Sequence, residues 1–519
     1  MKAFKKTLIC LMATAMLVTG CGNNGKKATG NTKVENKIEK EANALTKTKG
    51  ISPNLNLLTD GVWSASYSTN DGWYYLNTDY QLNDEENDLN KIMFVDYNKK
   101  QDKELCSKTG CKHNTNKCDS VLPKEATRSN QIFGQNGYLY LVSSEHDNEG
   151  AMSIQYYEDE ENDKASTSSK FTPALYRMKL DGTEREKVMD FEKGVTFKET
   201  FLGDGESIYG VMAKIKGEKK DEKTYFSAKS KELVKIDPEK KTVKKILDLN
   251  ADDELLSAYG RNLIVETMDY GRKVSTEEKQ NDDNLYKNAN KFVKLINIDN
   301  NSIKVVKKIK GDSANYKVGK NKIYFYYDKK KKIDAYDLST GKISTIKTKR
   351  IFEVNNIITT VSGDDILVCL DVTKSVDAKD YYLLDTKTGK AKKGKLKNRY
   401  NYPIEIQAQS DDSLLVVNNY KNTTTYIPWK DVNQEEVGSE EYSVISKKDF
   451  LANKDNYQKV KMVGMKKSEK SEVQNNKIKQ SKSDNGKEVA PDNEKKTKQN
   501  TKEQNKQNVK EEGIEIMQN

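Results

Sequence analysis

Three features of this 519-residue chain predict an all-β architecture. Tyrosine (28) far outnumbers tryptophan (3), and together with Val- and Ile-rich runs this composition suits strands. Short apolar runs opened by polar or glycine residues recur along the chain: Trp73-YYLN, Tyr138-LYLV, Ser207-IYGVM, Asn262-LIVET, Lys322-IYFYY, Asp365-ILVCL and Ser413-LLVVN. Each is followed by two further runs joined by a tight turn, and the seven units begin at 73, 138, 207, 262, 322, 365 and 413. Such spacing is the length of one four-stranded blade, longer where a loop is inserted. A single such sheet cannot bury both faces, whereas radial stacking buries both and leaves only short edges. The expected fold is therefore a seven-bladed β-propeller over residues 51–460, in preference to a long β-sandwich or two smaller β domains.

The unit is clearest at Lys322–Ile346. Ile323 to Tyr327 is a β-branched and aromatic strand, Lys329 to Lys332 a charged turn, and Ile333 to Tyr336 a second strand. Asp337-LSTGK then forms a hairpin turn whose glycine can take positive φ, and Ile343 and Ile346 begin the return strand. Asp181-Gly182, Asn300-Asn301 and Thr388-Gly389 supply turns of the same chemistry. Matching hairpins run from Lys91, Leu175, Leu233, Phe292 and Tyr381, and the seventh is degenerate, near Thr424 and Tyr442. Asn54–Ser66 is expected to pair into the last blade and close the ring.

Two polar inserts break the period, Ser143–Thr172 with its acidic run Glu158–Asp163, and Asp269–Lys291; both read as loops on one rim. The acidic run lacks the D-x-[DN]-x-[DN]-G calcium loop and reads as a solvated segment, with His146 exposed beside it. An apolar fraction of 35% and a mean hydropathy of −0.89 are low for a chain buried end to end. Accordingly, residues 21–50 read as a flexible tether and residues 461–519, rich in Lys, Gln and Asn, as a disordered tail.

The N-terminus carries an address. Lys2, Lys5 and Lys6 precede an apolar stretch from Leu8 to Val18, too short to span a bilayer. Val18-Thr19-Gly20-Cys21 then resembles the lipobox of bacterial lipoproteins. The resemblance implies a signal peptide over residues 1–20 and a diacylglycerol, with palmitate-class acyl chains, on the Cys21 sulfur. Two acyl chains at roughly 0.8 kcal/mol per buried CH₂ anchor stably, where one would be marginal. The other reading is an ordinary secretory signal with an incidental cysteine. The lipobox places the protein on the extracytoplasmic face of the cell membrane, and the Lys/Asn/Ile-heavy composition points to a Gram-positive bacterium.

The densest chemistry is Cys106-SKTG-Cys111-K-His113-NTNK-Cys118. Three thiols and an imidazole are the four ligands a structural Zn²⁺ takes. The alternatives are a disulfide, which this compartment permits, and reactive thiols. The spacing departs from the zinc-knuckle pattern C-x2-C-x4-H-x4-C, so RNA binding does not carry over. Cys369, inside an apolar strand, reads as a buried small hydrophobe.

Lipobox, tandem hairpins and a Cys-x-His-x4-Cys loop after the first blade together resemble a group of Gram-positive β-propeller lipoproteins. Leu175-YRMKLDGTEREK is similar to TolB-like repeats. The resemblance implies the fold and, loosely, a binding or assembly role. No G-x-S-x-G elbow, Walker A or H-E-x-x-H motif occurs, and no catalytic residue is assigned. The expected function is a lipid-anchored ligand- or protein-binding scaffold with a protein or glycan partner. The rival is a glycan-active hydrolase or lyase using carboxylates in the propeller channel. The net charge of +11, set against a lipid address, fits anionic lipids or cell-wall polyanions as partners and not nucleic acid; its plain alternative is solubility alone.

Overall fold

Lys322–Tyr326 is apolar beyond its first residue because both of its faces are covered. Ile323 and Phe325 point into one cluster with Val293, Ile309 and Tyr336. Tyr324 and Tyr326 point into another with Val354, Leu367 and Leu384. Side chains alternate across a strand, so a strand sandwiched between two neighbouring sheets reads as a continuous run. The same arrangement repeats around a ring in this computed structural model, which describes residues 53–59, 66–77, 90–115, 117–122, 129–144, 152–154, 172–220, 223–373, 380–427 and 432–462.

Among the described residues thirty strands form seven antiparallel sheets. After β1 (Asn56–Leu57), blade I is β2–β5: Ser66–Ser68, Gly72–Asn77, Lys91–Asp96 and Gln101–Glu104. Blade II is β6 (Ser129–Gln135), β7 (Tyr138–Ser144), β9 (Ala174–Lys179) and β10 (Glu186–Asp190), with β8 (Met152–Ile154) interposed in sequence. Blade III is β11–β14: Val195–Gly203, Ile208–Lys220, Lys223–Asp237 and Thr242–Leu249. Blade IV is β15–β18: Asp253–Tyr259, Asn262–Asp269, Asn290–Asn297 and Ile303–Lys310. Blade V is β19–β22: Asn315–Val318, Lys322–Tyr326, Lys332–Asp337 and Ile343–Lys347. Blade VI is β23–β26: Phe352–Thr359, Asp365–Asp371, Tyr381–Asp385 and Ala391–Lys393. Blade VII is β27–β30: Glu405–Gln409, Ser413–Ile427, Val432–Ser446 and Gln458–Lys459. Seven hydrophobic clusters fill the seven interfaces between neighbours, the last joining Trp73, Tyr75 and Val95 of blade I to Leu415, Val417 and Tyr442 of blade VII. The ring is a seven-bladed β-propeller.

The runs singled out in the sequence are the second strands of the blades. Each is preceded by a strand on the axial side, and four of these seven inner strands (β11, β15, β23 and β27) carry a register shift, as between Leu255 and Ser257 or Val354 and Asn356. A bulge breaks the two-residue period.

The turns between third and fourth strands share one construction in blades I, III, IV, V and VI. The side chain at the first position accepts the amides two and three residues on, and the fifth residue takes positive φ and bonds back to the first carbonyl. Asp337 does this with Ser339, Thr340 and Gly341 (φ 68°), and Asp385 with Lys387, Thr388 and Gly389 (φ 67°). Asn297 repeats it with Asp299, Asn300 and Asn301 (φ 58°). In blades I and III the left-handed position is held by lysine, Lys100 (φ 56°) and Lys241 (φ 54°).

Ring closure differs from the expectation for Asn54–Ser66. Asn56 and Leu57 pair with Gly203 and Leu202 on the axial edge of blade III, not with blade VII. Leu55 donates to the Gly260 carbonyl (2.8 Å) and is buried between blades III and IV. Its aliphatic side chain, with Leu58 packed beside blade III, makes this the favourable seat. Blade II skips β8, which pairs with β13 of blade III, and each other blade is built from four consecutive strands. Blades VII and I meet through their shared core, the Asn70–Asp411 hydrogen bonds (2.7 and 2.9 Å), and a parallel bridge between Gln101 and Lys461.

The insert Asp269–Lys291 is not simply a loop. It holds two six-residue helices, α1 (Thr276–Asn281) and α2 (Asp283–Asn288). Ser275 and Glu278 form a capping box on the first, and Asp282 caps the second. The acidic run Glu158–Asp163, His146, the signal peptide with Cys21, the tether and residues 463–519 lie outside the described residues. No described helix is long and apolar enough to cross a membrane.

Candidate metal centre

Twenty-four residues separate the last strand of blade I from the first strand of blade II, Leu105 to Arg128. The backbone ties this connection back onto blade I. Leu105 donates to the Ile92 carbonyl (2.9 Å), Ile92 to Ser120 (2.8 Å) and Leu122 to Asn90 (2.9 Å). Blade II grips it from the other side. The Arg185 guanidinium, in the turn after β9, donates to the carbonyls of Asp119 (3.0 Å) and Val121. Gly182 of that turn lies so close to the Leu105 backbone that a Cβ there would sit 2.9 Å from its carbonyl.

Within that frame two small turns bring the ligands together. Cys111 closes onto Lys108 (3.2 Å), with Gly110 at φ 72°, and Cys118 closes onto Thr115 (3.0 Å). His113 itself takes φ 52°, a left-handed conformation uncommon outside glycine, Asn, Asp and His. The three Sγ atoms and a ring nitrogen of His113 all lie within 4.8 Å of one another. A tetrahedral ion with ~2.3 Å metal–sulfur bonds spaces its sulfurs by about 3.8 Å, so the set needs only a small contraction. The four residues can hold a metal ion.

The cluster is polarised around Cys118, the most buried of the four. Burial pushes its thiol up. Hydrogen bonds from Ser120 Oγ (3.0 Å) and His113 Nδ1 (3.2 Å), with the Ser120 amide, outweigh that and bring it down to about 6. Cys111 moves the other way: a backbone contact at His113 lowers it, but burial and the Cys118 and Cys106 sulfurs raise it. A sulfur drawn toward its anionic form is the ligand a cation meets most readily. Lys108 bonds the Lys117 carbonyl (2.8 Å) and Asp119 (2.9 Å), bracing the far side of the loop.

All four residues predicted from spacing thus converge. Ser120 and Arg185 did not emerge from the sequence. Ser120 lies two residues beyond Cys118 and had a local signal; Arg185 acts across 64 residues of chain and had none. Cys369 is fully buried between blades V and VI, and burial alone pushes its thiol well up, as expected of a small hydrophobe.

Carboxylates were expected to matter if the channel were catalytic. Among the described residues one carboxyl is raised, that of Glu405, an exposed residue at the start of β27, through partial desolvation and the charge of Glu440. Tyr400 and Tyr420 pair beside it, with ring centroids 6.1 Å apart, and Tyr400 and Tyr402 are exposed. The grooves between blades V and VI and between blades VII and I, about 430 and 410 Å³, are polar and carry Asp364, Asp365, Asp411 and Asp412 at turns. Asp365 is bonded to Tyr324 (2.7 Å) and Thr359 (3.1 Å), a structural role.

No family model matches the chain, and neither does any curated protein. Solved structures similar to it at low identity include three of different activities. An oligogalacturonate lyase from Vibrio parahaemolyticus is 10% identical over 70% of this chain and 87% of its own (TM-score 0.36). A puromycin hydrolase is 9% identical over 78% and 54% (TM-score 0.45). The β-propeller domain of the Trilobed protease from Pyrococcus furiosus, described as having an open velcro topology, is 10% identical over 79% and 96% (TM-score 0.40).

Proposed function

We propose that this chain is a lipid-anchored, extracytoplasmic binding module whose working surface is the face carrying its long connections, with Zn²⁺ as the staple of the Cys106–Cys118 loop. In a four-stranded up-and-down blade, the connections from second to third strand and from fourth strand to next blade leave on the same side. That side carries the cysteine loop, the helical insert of blade IV and the hairpins Ile208–Asp237 and Ser413–Ser446. The opposite side receives the N-terminal segment, where the Pro53 carbonyl accepts from Arg261 (3.0 Å). A tether from Cys21 would therefore reach the ring from the side opposite the long connections, leaving them directed away from the anchor.

The observation that carries the reading is the seat of Leu55–Leu58 on the axial edge of blades III and IV. A segment lodged there takes space in the channel where a catalytic carboxylate pair would have to work, and favours binding at the rim. Blunting the hairpin Ile208–Asp237 by removing residues 217–224 tests this. Partner capture by the cell-surface protein should fall while the melting temperature stays within about 2 °C; unchanged capture counts against the face. Replacing Cys21 by Ser tests the anchor separately, through loss of metabolic palmitate labelling and release from membranes.

Glycan turnover is favoured by one observation, the raised carboxyl of Glu405 beside Tyr400 and Tyr420. Under that reading Glu405→Gln abolishes cleavage of cell-wall glycans. Under the binding reading no cleavage products form with either protein.

A further inference from the structure

The outermost strands of the ring are not alike. In blades III to VI they read TVKKILDL, IKVVKKIK, ISTIK and AKK, which hold nine lysines (two, four, one and two) and one acid, Asp248. In blades I, II and VII they read QDKE, EKVMD and QK, with three lysines and four acids. Asp248 is already held by Lys245 at 2.6 Å. Six of the nine lysines, Lys244, Lys304, Lys308, Lys310, Lys347 and Lys392, have no carboxylate in ion-pair range among the described residues, and all six are exposed. Lys304 and Lys308 are steadied over the Tyr336 and Phe292 rings at 5.5 and 5.2 Å. Lys392 donates to the Leu451 carbonyl (3.1 Å), a contact that leaves its charge unpaired, so that free here means free of a carboxylate.

Lysines on an edge strand commonly serve to block pairing with another chain. One charge per edge does that. It accounts neither for three carboxylate-free lysines on β18 nor for the run through four consecutive blades, when the outer strands of blades I and II are mixed and the single lysine of blade VII, Lys459, is paired with Glu441 at 2.7 Å. The aspartates and Asn297 at the preceding turns do not neutralise the belt. Asp337 and Asp385 are bonded to their own turn amides, Asp237 to Lys240 and Asp299 to Arg261.

We infer that the outer edge of blades III to VI is a docking belt for a flexible linear polyanion of the phosphodiester or polyphosphate type. Curvature selects this occupant. Four of seven blades cover about 200° of the ring, a convex arc. A flat anionic bilayer meets one or two blade edges of such an arc at a time, whereas a flexible chain can follow it. Lysine, a mobile point charge, suits sequence-independent contact with successive phosphates. The inference is independent of the lipid anchor and of the metal.

The test is salt-dependent binding of the full-length chain to long-chain polyphosphate, followed by anisotropy. One variant changes the six free belt lysines to Gln. A charge-matched control changes Lys466, Lys467, Lys470, Lys477, Lys479 and Lys482, in the tail, to Gln. With about 0.7 of a counterion released per contact, the belt variant should lose roughly four units of slope in log K against log salt and bind about a hundredfold more weakly at low salt. The tail variant should retain the belt's slope. Equal losses in both variants overturn the belt in favour of net charge alone. Binding to phosphatidylglycerol vesicles that falls in the belt variant, with no polyphosphate binding, overturns the polyanion in favour of a membrane surface. A melting curve of each variant establishes that the ring is intact.

Discussion

Cys118 shows how much one residue can depend on its surroundings. It is buried and bonded to Ser120, and its thiol stands at about 6 although burial opposes ionisation. Cys118→Ser should remove a ligand and its charge together. Bound metal should fall below about 0.1 per chain and stability by about 2–3 kcal/mol, the range for loss of a metal site or buried network; equilibrium unfolding with metal analysis checks both. Arg185→Met, which frees the Asp119 and Val121 carbonyls, should weaken metal retention without touching a ligand. Metal release to a chelator should quicken several-fold.

Asp334 makes the corresponding case in the core. Burial raises its carboxyl, but Tyr327, Lys332 and Thr345 hold it at about 2. A folded value below the unfolded one (near 3.9) gives stability that is present above pH 4 and lost as pH falls through about 2. The gain is ~2 kcal/mol at neutral pH. Asp334→Asn should lower the neutral melting temperature and flatten its decline between pH 5 and 2; an unchanged acid limb would contradict the assignment.

At the scale of elements, legibility followed burial. Lys322–Tyr326 and Asp365–Asp371 were readable because both faces are covered, so apolar side chains occupy successive positions. The inner strands were not: Val195–Gly203 and Glu405–Gln409 carry bulges that break the two-residue period, and they lie on the channel side of their blades. Short α1 was hidden by its polarity, although Ser275-TE-Glu278 is a capping-box pattern. The cysteine loop was readable because its four ligands are local, while its clamp from blade II was not. Among turns, Gly341 and Gly389 announced their positive φ, but Lys100 and Lys241 did not. Those lysines carry a left-handed cost of about 1 kcal/mol. Lys241→Gly should therefore stabilise blade III by up to about 1 kcal/mol, and Gly389→Val should cost at least as much; urea midpoints at constant slope measure both.

At the scale of the whole ring, no strand is exchanged between its ends among the described residues. Blade VII leans on blade I through Trp73, Tyr75, Leu415 and Tyr442, and the last described residues run along the outer strand of blade I, where Lys461 donates to the Lys100 carbonyl (2.9 Å) and accepts from Asp102 (3.1 Å). A chain ending at Asn456 loses β30, the buried Val460 and this bridge, and should melt several degrees lower with a broader transition. A chain ending at Gly464 should melt like the full chain. The cysteine loop lies in the matching place between blades I and II, and there the fastening we propose is a metal ion. Metal analysis of the purified full-length chain, combined with thiol titration before and after chelation, examines that fastening most directly. About one zinc per chain, with Cys106, Cys111 and Cys118 reacting only once the metal is removed, is the predicted result; no metal and two of those thiols lost to a disulfide would contradict it.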